Sequence, residues 1–136
     1  MGKERAFQAA MMQFYHDYPT RGPVPAADLL AEDLVFESCG DKTQIPWAGT
    51  WHGVAGLQDF LDTVWEHVEI TRYDVVSSVT DDFGALFLSE LDVRHRRSGA
   101  VMTLMKADSI SVRGDKVMRY REVYDVQAFS DWFHLQ

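Results

Sequence analysis

Residues 70–126 read ITRYDVVSSVTDDFGALFLSELDVRHRRSGAVMTLMKADSISVRGDKVMRYREVYDV, and this stretch decides the fold. Three turn signals, Asp81-Asp82-Phe83-Gly84, Arg97-Ser98-Gly99 and Arg113-Gly114-Asp115, cut it into runs rich in β-branched and apolar residues. The runs cover 70–79, 85–96, 101–112 and 117–126, about ten residues each, and runs of that length joined by tight turns predict an antiparallel meander. Residues 127–133 after it suit one or two helical turns.

Upstream the period changes from two to 3.6. Phe7, Met11, Phe14 and Tyr18 fall on one face of a helix over 4–18. Pro19, Gly22, Pro23 and Pro25 end it, and residues 25–31 fit a short second helix with proline in its first turn. A short strand is predicted at 34–38, then a loop over 40–53 with Pro46 and two tryptophans. Val54, Leu57, Leu61, Val64 and Val68 mark a third helix. Helices first and strands afterwards give an α+β fold, a curved antiparallel sheet packed on three N-terminal helices. With 136 residues and no repeat or linker, residues 1–136 are expected to form one domain.

Composition excludes several functions. The net charge of −8 opposes a phosphate backbone or an anionic membrane as partner. Cys39 is the only cysteine, so an internal disulfide and a four-cysteine zinc site are both impossible. His67 with Glu66 and Glu69 does not converge on a metal, since residues i, i+1 and i+3 of that run face apart; no metal site is expected. No apolar run reaches the roughly 20 residues of a membrane span. The first residues, Met1-Gly2-Lys3-Glu4-Arg5, lack a signal-peptide core, so a cytoplasmic location is expected.

Two stretches carry a family likeness. Ile45-Pro46-Trp47-Ala48-Gly49-Thr50-Trp51-His52-Gly53, with 54–60 after it, resembles the loop-to-helix entry of SnoaL-like domains. Residues 116–125, KVMRYREVYD, resemble their closing strand. Over nearly its whole length the chain resembles the nuclear transport factor two-like superfamily. Its members include ketosteroid isomerases, SnoaL-like polyketide cyclases, limonene epoxide hydrolases and scytalone dehydratases. The resemblance implies a cystatin-like α+β cone enclosing an apolar pocket. It also implies a homodimer built through the outer sheet face.

The resemblance further implies a cofactor-independent acid/base enzyme acting on a hydrophobic, oxygenated small molecule, by cyclisation, isomerisation, dehydration or epoxide opening. Carboxyl groups shut in such a pocket hold protons more tightly, as general acids and bases require. Asp125 resembles the general acid/base of the SnoaL-like cyclases. Asp92 and Asp125 align with the two acids of the limonene epoxide hydrolases, whose intervening arginine is Glu90 here. Asp108 aligns with the protonated oxyanion-hole aspartate of the ketosteroid isomerases, whose base falls near Ser38.

Tyr15 and Phe14 of the first helix, with Trp47, Trp51, Tyr120, Tyr124 and Glu90, complete the expected substrate-binding set. Other roles fit the same residues. Asp125 suits a helix cap, Asp92 an exposed strand acid, and Asp108 a partner for Lys106. Trp47 and Trp51 either line the pocket mouth or fix the loop. Parity places Tyr120, Glu122 and Tyr124 on one face of the closing strand and Asp125 on the other. A non-catalytic small-molecule binder, or a dimeric interaction module of the same fold, is the alternative reading.

Overall fold

The computed structural model describes residues 23–24 and 27–136. The predicted helix over 4–18, with Phe14 and Tyr15, lies outside the described residues. A single 3-10 turn at Ala27–Leu29 leads into β1, Leu30–Ser38. After a loop come β2, Gly49–His52, and α1, Gly53–His67. Four long strands follow: β3, Val68–Thr80; β4, Gly84–His95; β5, Val101–Arg113; and β6, Lys116–Tyr124. Helix α2, Val126–His134, closes the order.

The architecture is α+β, with one six-stranded sheet in the order β2-β1-β6-β5-β4-β3. The meander β3 to β6 is antiparallel, as its turn signals predict. Asp81 makes the first turn by accepting the N–H groups of Phe83 and Gly84 at 2.8 and 3.0 Å. Gly114, at φ +63°, makes the two-residue turn between Arg113 and Lys116, a conformation glycine adopts without a Cβ penalty. Register shifts at Ile70/Arg72 and Val75/Ser77 in β3 and at Ser111/Val112 in β5 increase local twist and help the sheet curl.

Several sequence expectations need correction. Of the three N-terminal helices expected, the first lies outside the described residues and the third is α1, but the segment expected as helix 25–31 forms strand from Leu30 onward. The cause is tertiary: Leu30 and Ala31 are buried, and Leu30 pairs with Val117 of β6. That pairing is parallel, so the sheet is mixed rather than wholly antiparallel. The expected loop over 40–53 contains β2, which pairs with the end of β1. The last strand stops at Tyr124 because Asp125 already caps α2.

Helix α1 buries Leu57, Phe60, Leu61 and Val64, the i, i+3, i+4, i+7 set of one helical face. They meet Phe36, Ile110 and Tyr120 of the sheet, with the Phe36 ring 4.3 Å from Phe60 and 4.7 Å from Tyr120. Alternation then fixes which side chains can reach the interior. On β4, Ala85, Phe87, Ser89, Leu91, Val93 and His95 point inward, and Leu86, Leu88, Glu90, Asp92 and Arg94 point outward.

Candidate active site

A half-open pocket of about 40 Å³ lies between α1, α2 and the inner sheet face. Its walls are apolar, from Trp47, Phe60, Val64, Leu91, Leu104 and Phe129 among others. Its polar groups are Lys106, Glu122 and Tyr124. Register explains why these three meet: Lys106 pairs with Tyr124 across β5 and β6, and Asp108 pairs with Glu122 one step along. All four positions have inward parity.

Behind the wall these groups belong to a buried polar cluster. The Lys106 ammonium is 3.2 Å from Glu122 Oε1 and 3.5 Å from Asp108 Oδ1. Ser38 Oγ donates to Glu122 Oε2 at 2.6 Å, and Tyr73 Oη donates to Asp108 Oδ2 at 2.8 Å. The ammonium also lies 4.9 Å from the centre of the Tyr73 ring. Asp108 is wholly buried, and Lys106, Glu122 and Ser38 are each 5% exposed or less. Two hydroxyls flank Lys106 in its row: Ser89, its register partner on β4, and Tyr124. Ser89 Oγ is buried with no hydrogen-bond partner among the described residues. The Trp47 indole is a neighbour of the Tyr124 hydroxyl, which is buried without a hydrogen-bond partner among the described residues.

One cation and two carboxyl groups share this apolar interior, so the two acids compete for a single ammonium. Burial raises the Glu122 pKa above the usual carboxylate value; Lys106 opposes this and Asp108 adds to it. Burial works to deprotonate Lys106, but the Asp108 carboxylate above all, with Glu122 beside it, outweighs burial and the ammonium persists. Burial holds the phenols of Tyr73, Tyr120 and Tyr124 protonated. The cluster is therefore a carboxyl whose affinity for a proton is raised by burial, beside a fixed ammonium, at the edge of an apolar pocket. That pairing can move a proton and stabilise charge developing on a neighbouring oxygen.

The predicted site residues separate. Asp108 is inside, held by Tyr73 and Lys106, and it sits behind the cavity wall. Asp92 is not inside: with Glu90 it faces outward on β4, where Arg72 binds both and Asp74 as well, at 2.7–2.9 Å. Arg72, then Thr103, holds the Asp92 carboxyl below its usual pKa, the opposite of the shift expected for an enclosed acid. Asp125 is exposed, and its Oδ1 accepts the Ala128 N–H at 3.0 Å as the cap of α2. The pocket expectation for Asp92, Glu90 and Asp125 is thus corrected by strand parity and by the helix start. Trp47 and Tyr124 line the cavity. Trp51 fixes the loop instead, donating to Trp47 O at 3.1 Å, and Tyr120 packs in the core.

Sequence reasoning left Lys106, Glu122, Ser38 and Tyr73 out of the site. The signal for the first two was present: Lys106 shares Asp108's face, and Glu122 lies between Tyr120 and Tyr124 on theirs.

No family model matches the chain, and no curated protein matches it. Solved structures do. A candidate isomerase from Rhodopseudomonas palustris superposes with a TM-score of 0.79 at 15% identity, covering 97% of each chain. A nuclear transport factor two-like protein of unknown function from Burkholderia pseudomallei gives 0.79 at 17% identity, covering 95% of each. A candidate SnoaL-like polyketide cyclase from Mesorhizobium loti gives 0.68 at 17%, covering 90% of this chain and 96% of that one. These likenesses show the fold alone, which is nuclear transport factor two-like. No helix among the described residues is long and apolar enough to cross a membrane.

Proposed function

We propose that the chain is an acid/base enzyme for an apolar, oxygenated small molecule, with Glu122 as the proton carrier. One observation carries this reading: a buried carboxyl with a raised pKa and a fixed ammonium border the same apolar cavity. With substrate carbonyl oxygen against Lys106 and Tyr124, ionised Glu122 takes a proton from the adjacent carbon. The C–H electron pair moves into a carbon–carbon double bond, and the charge on oxygen is met by the ammonium and the phenol. Returning the proton to another carbon isomerises the substrate; attack of the enolate on a second carbonyl cyclises it. Asp108 acts through Lys106, as a positioning residue. This reading moves the proton-transfer role from Asp125 and Asp92 to Glu122.

The test needs no knowledge of the product. Apolar cyclic ketones in D2O are followed by NMR for exchange of the hydrogens beside the carbonyl. The expected result is exchange above buffer background, lost in Glu122→Gln, with an inflection above pH 4.5, the ordinary glutamate value. Ketone binding without exchange, unchanged in Glu122→Gln, refutes the enzyme and favours a binding protein.

We also propose that the outer sheet face makes a homodimer. Leu86, Leu88, Met105 and Val123 form an apolar stripe there, each more than 40% exposed. The acid-rich group of Asp74, Glu90, Asp92 and Arg72 flanks it on one side, and Arg119 and Arg121 with Glu37 flank it on the other. A two-fold axis through the stripe lays the acidic flank over the basic one. Sedimentation should give a dimer that Leu88→Glu splits; a wild-type monomer at tens of micromolar refutes it.

A further inference from the structure

We propose that His95 is a pH-operated latch that holds α2 over the cavity, whatever chemistry the cavity performs. His95 ends β4 and is 7% exposed. Its Nδ1 accepts two backbone N–H groups of the following loop, from Arg97 at 3.2 Å and Ser98 at 3.4 Å. This fixes Nδ1 as the unprotonated nitrogen and places the ring proton on Nε2. The backbone of His95 closes the same loop, its N–H donating to Ala100 O and its carbonyl accepting from Gly99.

The ring connects this loop to the lid. Its centroid lies 5.3 Å from Phe133 and 6.0 Å from Trp132, both on α2. Phe133 stacks on Phe129 at 5.7 Å and meets Trp47 at 5.8 Å, and Phe129 and Trp47 are cavity walls. Seated imidazole, seated α2 and cavity wall are therefore one packing unit.

A proton on Nδ1 breaks the unit at its root, because it turns an acceptor of two N–H groups into a third donor facing them. The neighbours oppose that proton too. His95 borders a cleft of about 410 Å³ with Glu66 and His67 from α1, Arg96 and Arg97 from the loop, and His134 from α2. On β3, Glu69 is engaged by Arg94 and Arg96. Among the described residues Glu66 is thus the one side-chain carboxylate lining the cleft, against two guanidinium groups and two other imidazoles. Burial first, then the Arg97 and His67 charges, lower the pKa of His95 below 6.5. The sign follows: the closed state binds the proton more weakly than the open one. Closure is complete above pH 6.5, weakens as pH falls through that value, and stops changing below the depressed pKa of the closed state.

Amide hydrogen exchange on the full chain, corrected for intrinsic rate and compared between pH 7.5 and 5.5, tests this. Protection of residues 126–134 should fall several-fold, up to about tenfold per pH unit below 6.5, while the centre of β5 keeps its protection. In His95→Asn the Oδ1 stands where Nδ1 stood and cannot titrate, so the pH dependence should vanish. In His67→Gln and His134→Gln it should persist. Flat protection in the wild type, an undiminished fall in His95→Asn, or loss of the effect in His67→Gln or His134→Gln overturns the latch. Nitrogen-15 NMR of the wild-type imidazole decides the case should His95→Asn not fold: Nδ1 should be unprotonated at pH 7.5, and a pKa at or above 6.5 overturns the latch.

Discussion

Replacing Lys106 by methionine keeps most of the aliphatic stem and removes the ammonium that separates Asp108 from Glu122. Both carboxylates stay where the structure has them, with side chains 0% and 6% exposed. Stranding a buried charge in this way costs about 3–5 kcal/mol. A limit follows from the proton itself, since the pair can escape by neutralising one acid. Holding a proton at pH 7.5 on a carboxyl of ordinary pKa 4.5 costs about 4 kcal/mol, and at pH 5.5 about 1.4 kcal/mol. Urea unfolding should therefore give a deficit near the upper figure at pH 7.5, shrinking by about 2–3 kcal/mol at pH 5.5. The sign is that of an acid whose folded pKa is raised: stability is highest below the unfolded value and is lost as pH rises through the folded one. Adding Glu122→Gln removes one of the two stranded acids and should return part of the loss, while Asp108 stays buried with the Tyr73 hydroxyl. A deficit under about 1 kcal/mol, or one equal at both pH values, would show that the cluster is solvated and refute the reasoning.

Three further outcomes follow. Asp125→Ala removes the Ala128 cap and should cost about 1 kcal/mol in urea unfolding, yet leave ketone exchange within about twofold; loss of exchange with unchanged stability would return the proton-transfer role to Asp125. Gly84→Ala should destabilise by about 1–3 kcal/mol or more, since a Cβ there would stand 2.2 Å from Ile110 O, rigid backbone of the paired strand; a neutral melting temperature would contradict that approach. Arg72→Gln frees three outer-face acids, and in the monomer its cost should be small, as for solvent-screened ion pairs in general. That effect should shrink in high salt and as pH falls through the depressed carboxyl pKa of Asp92, where its pairing is lost anyway; a larger, salt-insensitive loss would place Arg72 in a buried interface.

The meander was legible because its turn residues act locally. Asp81, Gly99 and Gly114 punctuate strands whose alternation needs no tertiary information. Residues 30–33 were not legible: Leu-Ala-Glu-Asp favours a helix, and only the parallel seam with β6 makes them strand. Parity within β4 was read correctly, but not which face was inner, since Glu90, Asp92, Ser89 and His95 make both faces half polar. The partner that settles this is Arg72, twenty residues from Asp92 and placed opposite it by a bulged register. Lys106 and Glu122 were read as a partner of Asp108 and a neighbour of Tyr120 and Tyr124, but not as site residues, for a related reason. A lone lysine reads as surface until two acids from adjacent strands are known to enclose it.

The seam between β1 and β6 joins residues 30–38 to residues 117–124, with the chemistry-bearing strands encoded between them. On the ribosome, β1 can zip early to β2, but its other edge must wait for β6, whose Glu122 follows Ser38 by 84 residues, to emerge. Ser38 meets Glu122 only when that late strand docks, so the proton-handling cluster is assembled at the last step of folding. A nascent or prematurely stopped chain carries the greasy walls without the polar machinery, and its open β1 edge invites association with other chains.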